Sequence, residues 1–277
     1  MRISAFGDEL ATDFEAQVQG LHKLGIPHID VRKAWGVVCT DFTADHIQNI
    51  NTLCADNNVS VACIGSPIGK SPIAAPISNE LERLARIAEV AHALGTTNIR
   101  MFSFRPDGDV TEAVMDDAIT RLQQLTDRAG ELDVQLLLEN EKHLVGDLPE
   151  RCHTILAAIN HPRLRFIWDP ANFVQCGAAN QVTEWWGRLH PFIAYVHIKD
   201  AILGEGRVVP VGEGDGQVDQ LLANLLEKGY DGVLSLEPHL KIAGPSGGYS
   251  GAEKMEIAVM ALRKLMREVG IEERKEM

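Results

Sequence analysis

Residues 134–141 read VQLLLENE, a mostly apolar run closed by Glu139, Asn140 and Glu141. A short apolar run that ends in a polar cluster describes a strand buried on both faces, emerging from a hydrophobic interior at its C-terminal end. The same pattern recurs along the chain. Downstream lie RFIWDP (165–170), YVHIKD (195–200) and LSLEPH (234–239), and upstream ISAFGDE (3–9) and GSPIGKSP (65–72). Counted from end to end, strands are predicted over Arg2–Phe6, His28–Val31, Val59–Ile64, Asn98–Phe102, Val134–Glu139, Arg165–Trp168, Ala194–Ile198 and Gly232–Glu237.

Between these runs the apolar residues fall at helical spacing, as in Leu81, Leu84, Ala85, Ala88 and Ala91, or Ala118, Leu122, Leu125 and Ala129. Eight strand–helix units in 277 residues predict an α/β fold, a (β/α)8 TIM barrel in a single domain; an open, doubly wound sheet usually has fewer strands. The barrel is expected over residues 1–270, followed by a C-terminal tail, 271–277, read as a frayed helix end. Barrel enzymes carry their chemistry on the loops after the strands, so the polar clusters are expected to share one mouth.

Composition narrows the function. A formal charge of −13 opposes both a nucleic-acid backbone and an anionic membrane surface, so neither is expected as a partner. Cys39, Cys54, Cys63, Cys152 and Cys176 are scattered, without CxxC or zinc-finger spacing, and read as reduced thiols. The N-terminus MRISAFGDELATDF lacks the apolar core of a signal peptide, and a cytoplasmic location is expected. Homo-oligomerisation stays open.

Four potential ligands stand at the ends of four consecutive predicted strands: Glu139, Asp169, His197 and Glu237. Three carboxylates brought together at a buried mouth would repel one another unless a cation joined them. Three oxygen donors and one imidazole suit a single divalent ion, Mn²⁺ first, with Mg²⁺, Co²⁺, Fe²⁺ and Zn²⁺ as alternatives. Around them, Lys199, Asn172, His143 and Glu141 follow the ligands closely enough to meet a substrate oxygen. Lys70 and Arg100 are cationic candidates for a carboxylate or phosphate, Trp35 and Phe6 for an apolar wall under a sugar's carbon face. Glu213 lies in the glycine-rich PVGEGDGQVD and is expected in a loop over the mouth; His239 is two residues beyond Glu237.

From ISAFGDE through HIDVRKAWG, GSPIGK, LLLENE, WDPANF, VHIKD and PVGEGDGQVD to LSLEPH, nearly the whole chain resembles the xylose isomerase-like sugar isomerase/epimerase superfamily. That superfamily includes ketose 3-epimerases, inosose dehydratases, hydroxypyruvate isomerases and the endonuclease IV type of DNA repair enzyme. The resemblance implies a metal on Glu139, Asp169, His197 and Glu237, with Glu139 and Glu237 moving a proton beside a carbonyl of a small polyhydroxylated substrate. Three positions depart from the ketose 3-epimerases: Val145, Asn172 and Leu203 stand where those enzymes place a glutamate, a histidine and an arginine. Arg207 is the candidate replacement for the arginine. The endonuclease branch needs several more histidine ligands and a basic face. The expectation is a metal-dependent isomerase or epimerase working through an ene-diolate; the alternatives are a dehydratase-like lyase and a catalytically silent sugar-binding barrel.

Overall fold

The computed structural model describes residues 1–244 and 247–275. Eight parallel strands form the centre: β1 (Arg2–Phe6), β2 (His28–Val31), β3 (Ser60–Ile64), β4 (Asn98–Met101), β5 (Gln135–Glu139), β6 (Leu164–Trp168), β7 (Ile193–Ile198) and β8 (Val233–Leu236). Each pairs with its successor, and β8 closes the ring on β1 through a register running from Arg2↔Val233 to Ala5↔Leu236. That closing pair decides between the two architectures. The molecule is a (β/α)8 barrel, and its strands lie within one residue of the expected ranges at either end.

The long helices α1 (Phe14–Lys23), α2 (Ala44–Asp56), α3 (Ile77–Ala93), α4 (Glu112–Glu131), α5 (Pro149–Ile159), α7 (Gln181–Leu189), α8 (Val218–Glu227) and α9 (Gly251–Val269) follow the eight strands; a short α6 (Pro170–Gln175) is inserted after β6. Of the stripes read from the periodicity, Ala118, Leu122, Leu125 and Ala129 of α4 are all buried, as are Leu84, Ala88 and Ala91 of α3, while Leu81 and Ala85 are half-buried. Starts are marked by side-chain caps from Asp13, Thr43 and Thr111, which accept orphan amide protons of the first turn. None of the described helices is long and apolar enough to cross a membrane.

Helix α9 stops at Gly270, whose φ of 88° ends the helix in the left-handed region. The described part of the tail does not continue it. Residues 271–275 turn back to the bottom of the barrel, where the Arg274 amide donates to the Met1 carbonyl at 2.8 Å. Glu276 and Met277, which the frayed-end reading also covered, lie outside the described residues.

Inside the barrel the two-residue period of a strand stacks side chains in layers. One layer is polar: Asp30 accepts hydrogen bonds from Ser4 Oγ at 2.6 Å, Tyr195 Oη at 2.6 Å and Ser235 Oγ at 2.9 Å. Burial pushes the Asp30 carboxyl up, and the hydroxyl donors of Ser4 and Tyr195 work against that rise. Two residues further along the same strands, the period delivers Phe6, Arg32, His197 and Glu237 to the next layer, at the mouth. The Asp30 layer is thus the floor on which the site stands. Replacing Tyr195 by Phe removes one of three donors to a buried carboxylate, and urea denaturation should register a loss of about 1–3 kcal/mol.

Candidate metal centre and active site

The alternation that buries Leu137, Ile167 and Tyr195 in one interior cluster places Glu139, Asp169 and His197 two residues on, all inward at the mouth. Glu237 joins them from the end of β8. All four are buried, and their ligand atoms lie within 4.8 Å of one another. An ion with bonds of about 2.0–2.4 Å requires ligand atoms no more than about 4.8 Å apart, so the spacing fits. His197 Nδ1 stands 3.0 Å from Glu139 Oε1 and 3.8 Å from Glu237 Oε2, aimed into the group.

Local sequence explains how each ligand is held. Asp169 opens α6 as its N-cap, with Pro170 in the first turn, and accepts the Asn172 amide on Oδ1 at 2.9 Å. That bond turns Oδ2 toward Lys199, whose Nζ lies 2.8 Å away. The Asn140 side chain clamps the same residue: Oδ1 accepts the Asp169 amide at 2.8 Å, and Nδ2 donates to its carbonyl at 2.9 Å. Asn172 Nδ2 donates to Glu139 Oε1 at 3.4 Å and to the Asn140 carbonyl at 2.9 Å.

Three cations surround the carboxylates. Arg32, just past β2, donates to Asp8 at 2.8 Å, to Glu237 at 2.5 Å and to Glu9 at 3.4 Å. Arg100 donates to Glu139 Oε2 at 3.2 Å and to the Gly65 carbonyl at 3.1 Å. Lys199 Nζ also reaches Glu237 Oε2 at 3.2 Å. Burial drives the Glu139 carboxyl upward, but His197 and Arg100 outweigh it and hold it at about 2. For Glu237, Lys199 and His239 likewise overcome burial and keep it well below the usual carboxylate range. Asp169 goes the other way: burial, with Glu139 and Glu237 beside it, lifts it to about 6 despite Lys199.

Above the cluster opens a cavity of about 310 Å³, lined among others by Arg32, Arg100, Asn172, Lys199, Glu237 and His239. Of the four ligand candidates only Glu237 reaches its wall; Glu139, Asp169 and His197 lie just beneath. The outer wall holds Lys70, Glu141 and His143. Lys70 pairs with Glu141 at 3.1 Å and lies over the Phe102 ring at 4.2 Å. Its placement depends on Gly69, at φ 78°, where a Cβ would come within 2.0 Å of the Phe102 carbonyl oxygen. Asn172, His143, Glu141, Lys70, Arg100 and Lys199 are therefore gathered around one cavity.

Four expected contacts lie elsewhere. Trp35 is not part of the wall: its φ of 53° in the turn between Lys33–Ala34 and Val37–Val38 leans the indole onto Phe14 and His46, at ring separations of 5.4 and 5.8 Å. Phe6 is fully buried beneath the site, under Arg32 and Arg100 at 4.7 and 5.0 Å and edge-on to His197 at 5.2 Å. It supports the charged layer without facing the cavity. Arg207 turns outward to Glu205 at 3.0 Å and does not replace the missing arginine.

Glu213 is exposed and away from the cavity, because Asp200 holds its loop down. The Asp200 carboxylate accepts amides of Gly212, Gly214 and Gly216 at 3.0, 3.1 and 2.9 Å. A Cβ on Gly214 would lie 2.3 Å from that carboxylate, so the close approach requires glycine there.

Unforeseen were Arg32 with Asp8 and Glu9, the Asn140 clamp, and Arg105, Lys142 and Gln175 on the cavity wall. Arg32 and the acids after β1 carry the signal used for the ligands, a polar residue directly after an apolar strand; Arg105 and Lys142 reach the wall only through loop packing. Replacing Arg32 by Met would leave Asp8, Glu9 and Glu237 short of one buried cation, at a cost of about 3–5 kcal/mol in metal-free protein. Glu237, which Lys199, His239 and Arg32 hold well below the usual carboxylate range, would lose part of that hold, so the deficit should be greatest at neutral pH and shrink as pH falls through the carboxylate range. Urea denaturation across that range checks it.

Comparison with known proteins bears on this arrangement. The family model described as xylose isomerase-like TIM barrel matches residues 18–265. Among curated proteins none matches the chain by sequence. Solved structures with the same fold include the probable 3-DHS dehydratase AsbF of Bacillus anthracis, with a TM-score of 0.76, 17% identity, and 95% of this chain and 99% of that one covered. A xylose isomerase-like TIM-barrel protein of Mycobacterium smegmatis in complex with magnesium gives 0.72 at 19% identity, covering 97% and 96%. D-allulose 3-epimerase of Methylomonas sp. gives 0.70 at 16% identity, covering 96% and 98%. At such identities the likeness is one of fold, while the family match extends over most of the sequence: this chain belongs to the xylose isomerase-like TIM-barrel family.

Proposed function

We propose that the chain is a divalent-metal-dependent isomerase or epimerase of a sugar or sugar-derived hydroxycarbonyl compound, acting by proton abstraction through an ene-diolate. The observation that carries this reading is the buried group of Glu139, Asp169, His197 and Glu237 under a cavity of about 310 Å³, at the small end of ligand pockets and suited to a single sugar unit. Those four residues would hold the ion. A dication bound there would polarise a carbonyl and its neighbouring hydroxyl and acidify the C–H of the hydroxyl-bearing carbon.

The chain's own residues account for the rest. Glu237 reaches the cavity wall and, kept ionised by Lys199, His239 and Arg32, is assigned the first proton contact. Glu139, beneath it, is assigned the second. Arg100 and Asn172, at 3.2 and 3.4 Å from its two oxygens, fix its orientation. Lys199 and Asn172 line the cavity and offer donors to substrate oxygens.

A dehydratase reading has a specific support of its own. Lys199 Nζ and His239 Nε2 stand 3.2 and 3.5 Å from opposite oxygens of Glu237, so a proton donor accompanies the base and could assist departure of a β-hydroxyl. One of the structural relatives is a probable 3-DHS dehydratase. Product mass separates the readings, since isomerisation conserves it and dehydration removes one water.

Purified protein is expected to carry about one divalent ion per chain by elemental analysis, and an Asp169→Ala/His197→Ala double variant to carry none; unchanged metal content in that variant would sink the site. In D₂O, a panel of ketoses, inososes and hydroxypyruvate should reveal a substrate whose C–H exchanges with solvent. Glu237→Gln and Glu139→Gln should each slow that exchange by about 10²–10⁴-fold, the usual contribution of a positioned acid or base.

A further inference from the structure

The charge of the cavity is opposite to that of the protein. The chain holds 26 Lys and Arg against 39 Asp and Glu, yet the thirteen residues lining the cavity include six Lys or Arg and only two Glu. The inner cations are committed: Arg32, Arg100 and Lys199 all pair with buried carboxylates. The outer ones are not. Lys142 Nζ bonds a neutral amide, Gln175 Oε1 at 2.8 Å, and Arg105 donates to the Lys70 carbonyl at 3.2 Å. Among the described residues neither makes an ion pair.

Both are held in place by the loops that carry them. The 140–148 loop is tied to the loop after β4 through Val145 N to the Phe104 carbonyl at 3.0 Å and Gly146 N to Ser103 Oγ at 2.6 Å. Arg105 N in turn donates to the Ser71 carbonyl at 2.9 Å. Two uncompensated cations, Lys142 half-buried and Arg105 exposed, thus line one cavity from two braced loops. A neutral sugar would give them only hydroxyl oxygens, whereas an anion forms shorter, charge-assisted bonds of about twice the strength.

We propose that the substrate is an anion, with a carboxylate or phosphate at the end remote from the metal group, and that Lys142 and Arg105 receive it while Lys70, paired with Glu141, borders the same wall. This rests on the catalytic reading above, and its test is arranged so that either can fail alone. Inorganic phosphate and D-glycerate, with glycerol as the neutral control, are titrated calorimetrically into chelator-treated protein. At least one anion should bind and glycerol should not; which anion binds tells a phosphate site from a carboxylate site. A Lys142→Met/Arg105→Met variant should weaken that binding at least tenfold, and Lys254→Met, on the exposed face of α9, should leave it alone. Absence of binding by both anions, or equal binding by the double variant, overturns the proposal whether or not the protein proves to be an isomerase.

In turnover assays, matched neutral, carboxylated and phosphorylated hydroxycarbonyl compounds are compared in the metal-loaded enzyme. The charged member should be preferred, with the double variant's loss falling on KM rather than kcat. Preference for the neutral member also overturns it. Anion binding that survives without any turnover would instead count against the isomerase reading alone.

Discussion

Everything at the barrel mouth follows from the cost of burying Glu139, Asp169 and Glu237 within a few ångströms of one another. Unpaired carboxylates in such a place would either protonate or unfold the end of the barrel. The protein answers with a ring of fixed cations. Arg32 spans Asp8, Glu9 and Glu237, Arg100 holds Glu139, and Lys199 bridges Asp169 and Glu237. Glu139 and Glu237 stay ionised and oriented, while Asp169, the most crowded, is pushed toward neutrality. A dication held by the group would relieve the repulsion that leaves Asp169 raised.

That arrangement depends on the layer below. Asp30, with its three hydroxyl donors, occupies the centre of the barrel where most such folds pack aliphatic groups. Its partners sit on β1, β7 and β8, whose next inward residues are Phe6, His197 and Glu237. The strands that fix the polar floor therefore also fix the height of the ligands above it. Phe6 completes the link, edge-on to His197 and underneath both arginines.

The departures from the ketose 3-epimerase pattern take structural form around this core. The Asn172 side-chain amide is shared between Glu139 and the Asn140 carbonyl. Val145 is fully buried and Leu203 exposed; both are apolar and neither lines the cavity. Cationic side chains from the loops after β4 and β5, Arg105 and Lys142, line the cavity.

The amino-acid sequence by itself determined the eight strand–helix units, because the apolar run of a strand and the amphipathic period of a helix are local properties that each segment displays alone; the pairing of β8 with β1 that closes them into a barrel is long-range. The sequence determined the four ligand candidates for the same reason: each directly follows its strand, and the closed sheet carries every such position to one rim. Arg32, Asp8 and Glu9 were legible by that rule as well, though their partnership with Glu237 was not. Only the tertiary structure decided the fate of the loop residues. Trp35 fell onto Phe14 and His46, Glu213 was drawn off by the hold of Asp200 on three glycine amides, Arg207 turned to Glu205, and Lys142 and Arg105 converged from separate loops. A strand's two-residue period fixes where its side chains point; a loop's side chains are placed by contacts distant in sequence, which no local pattern contains.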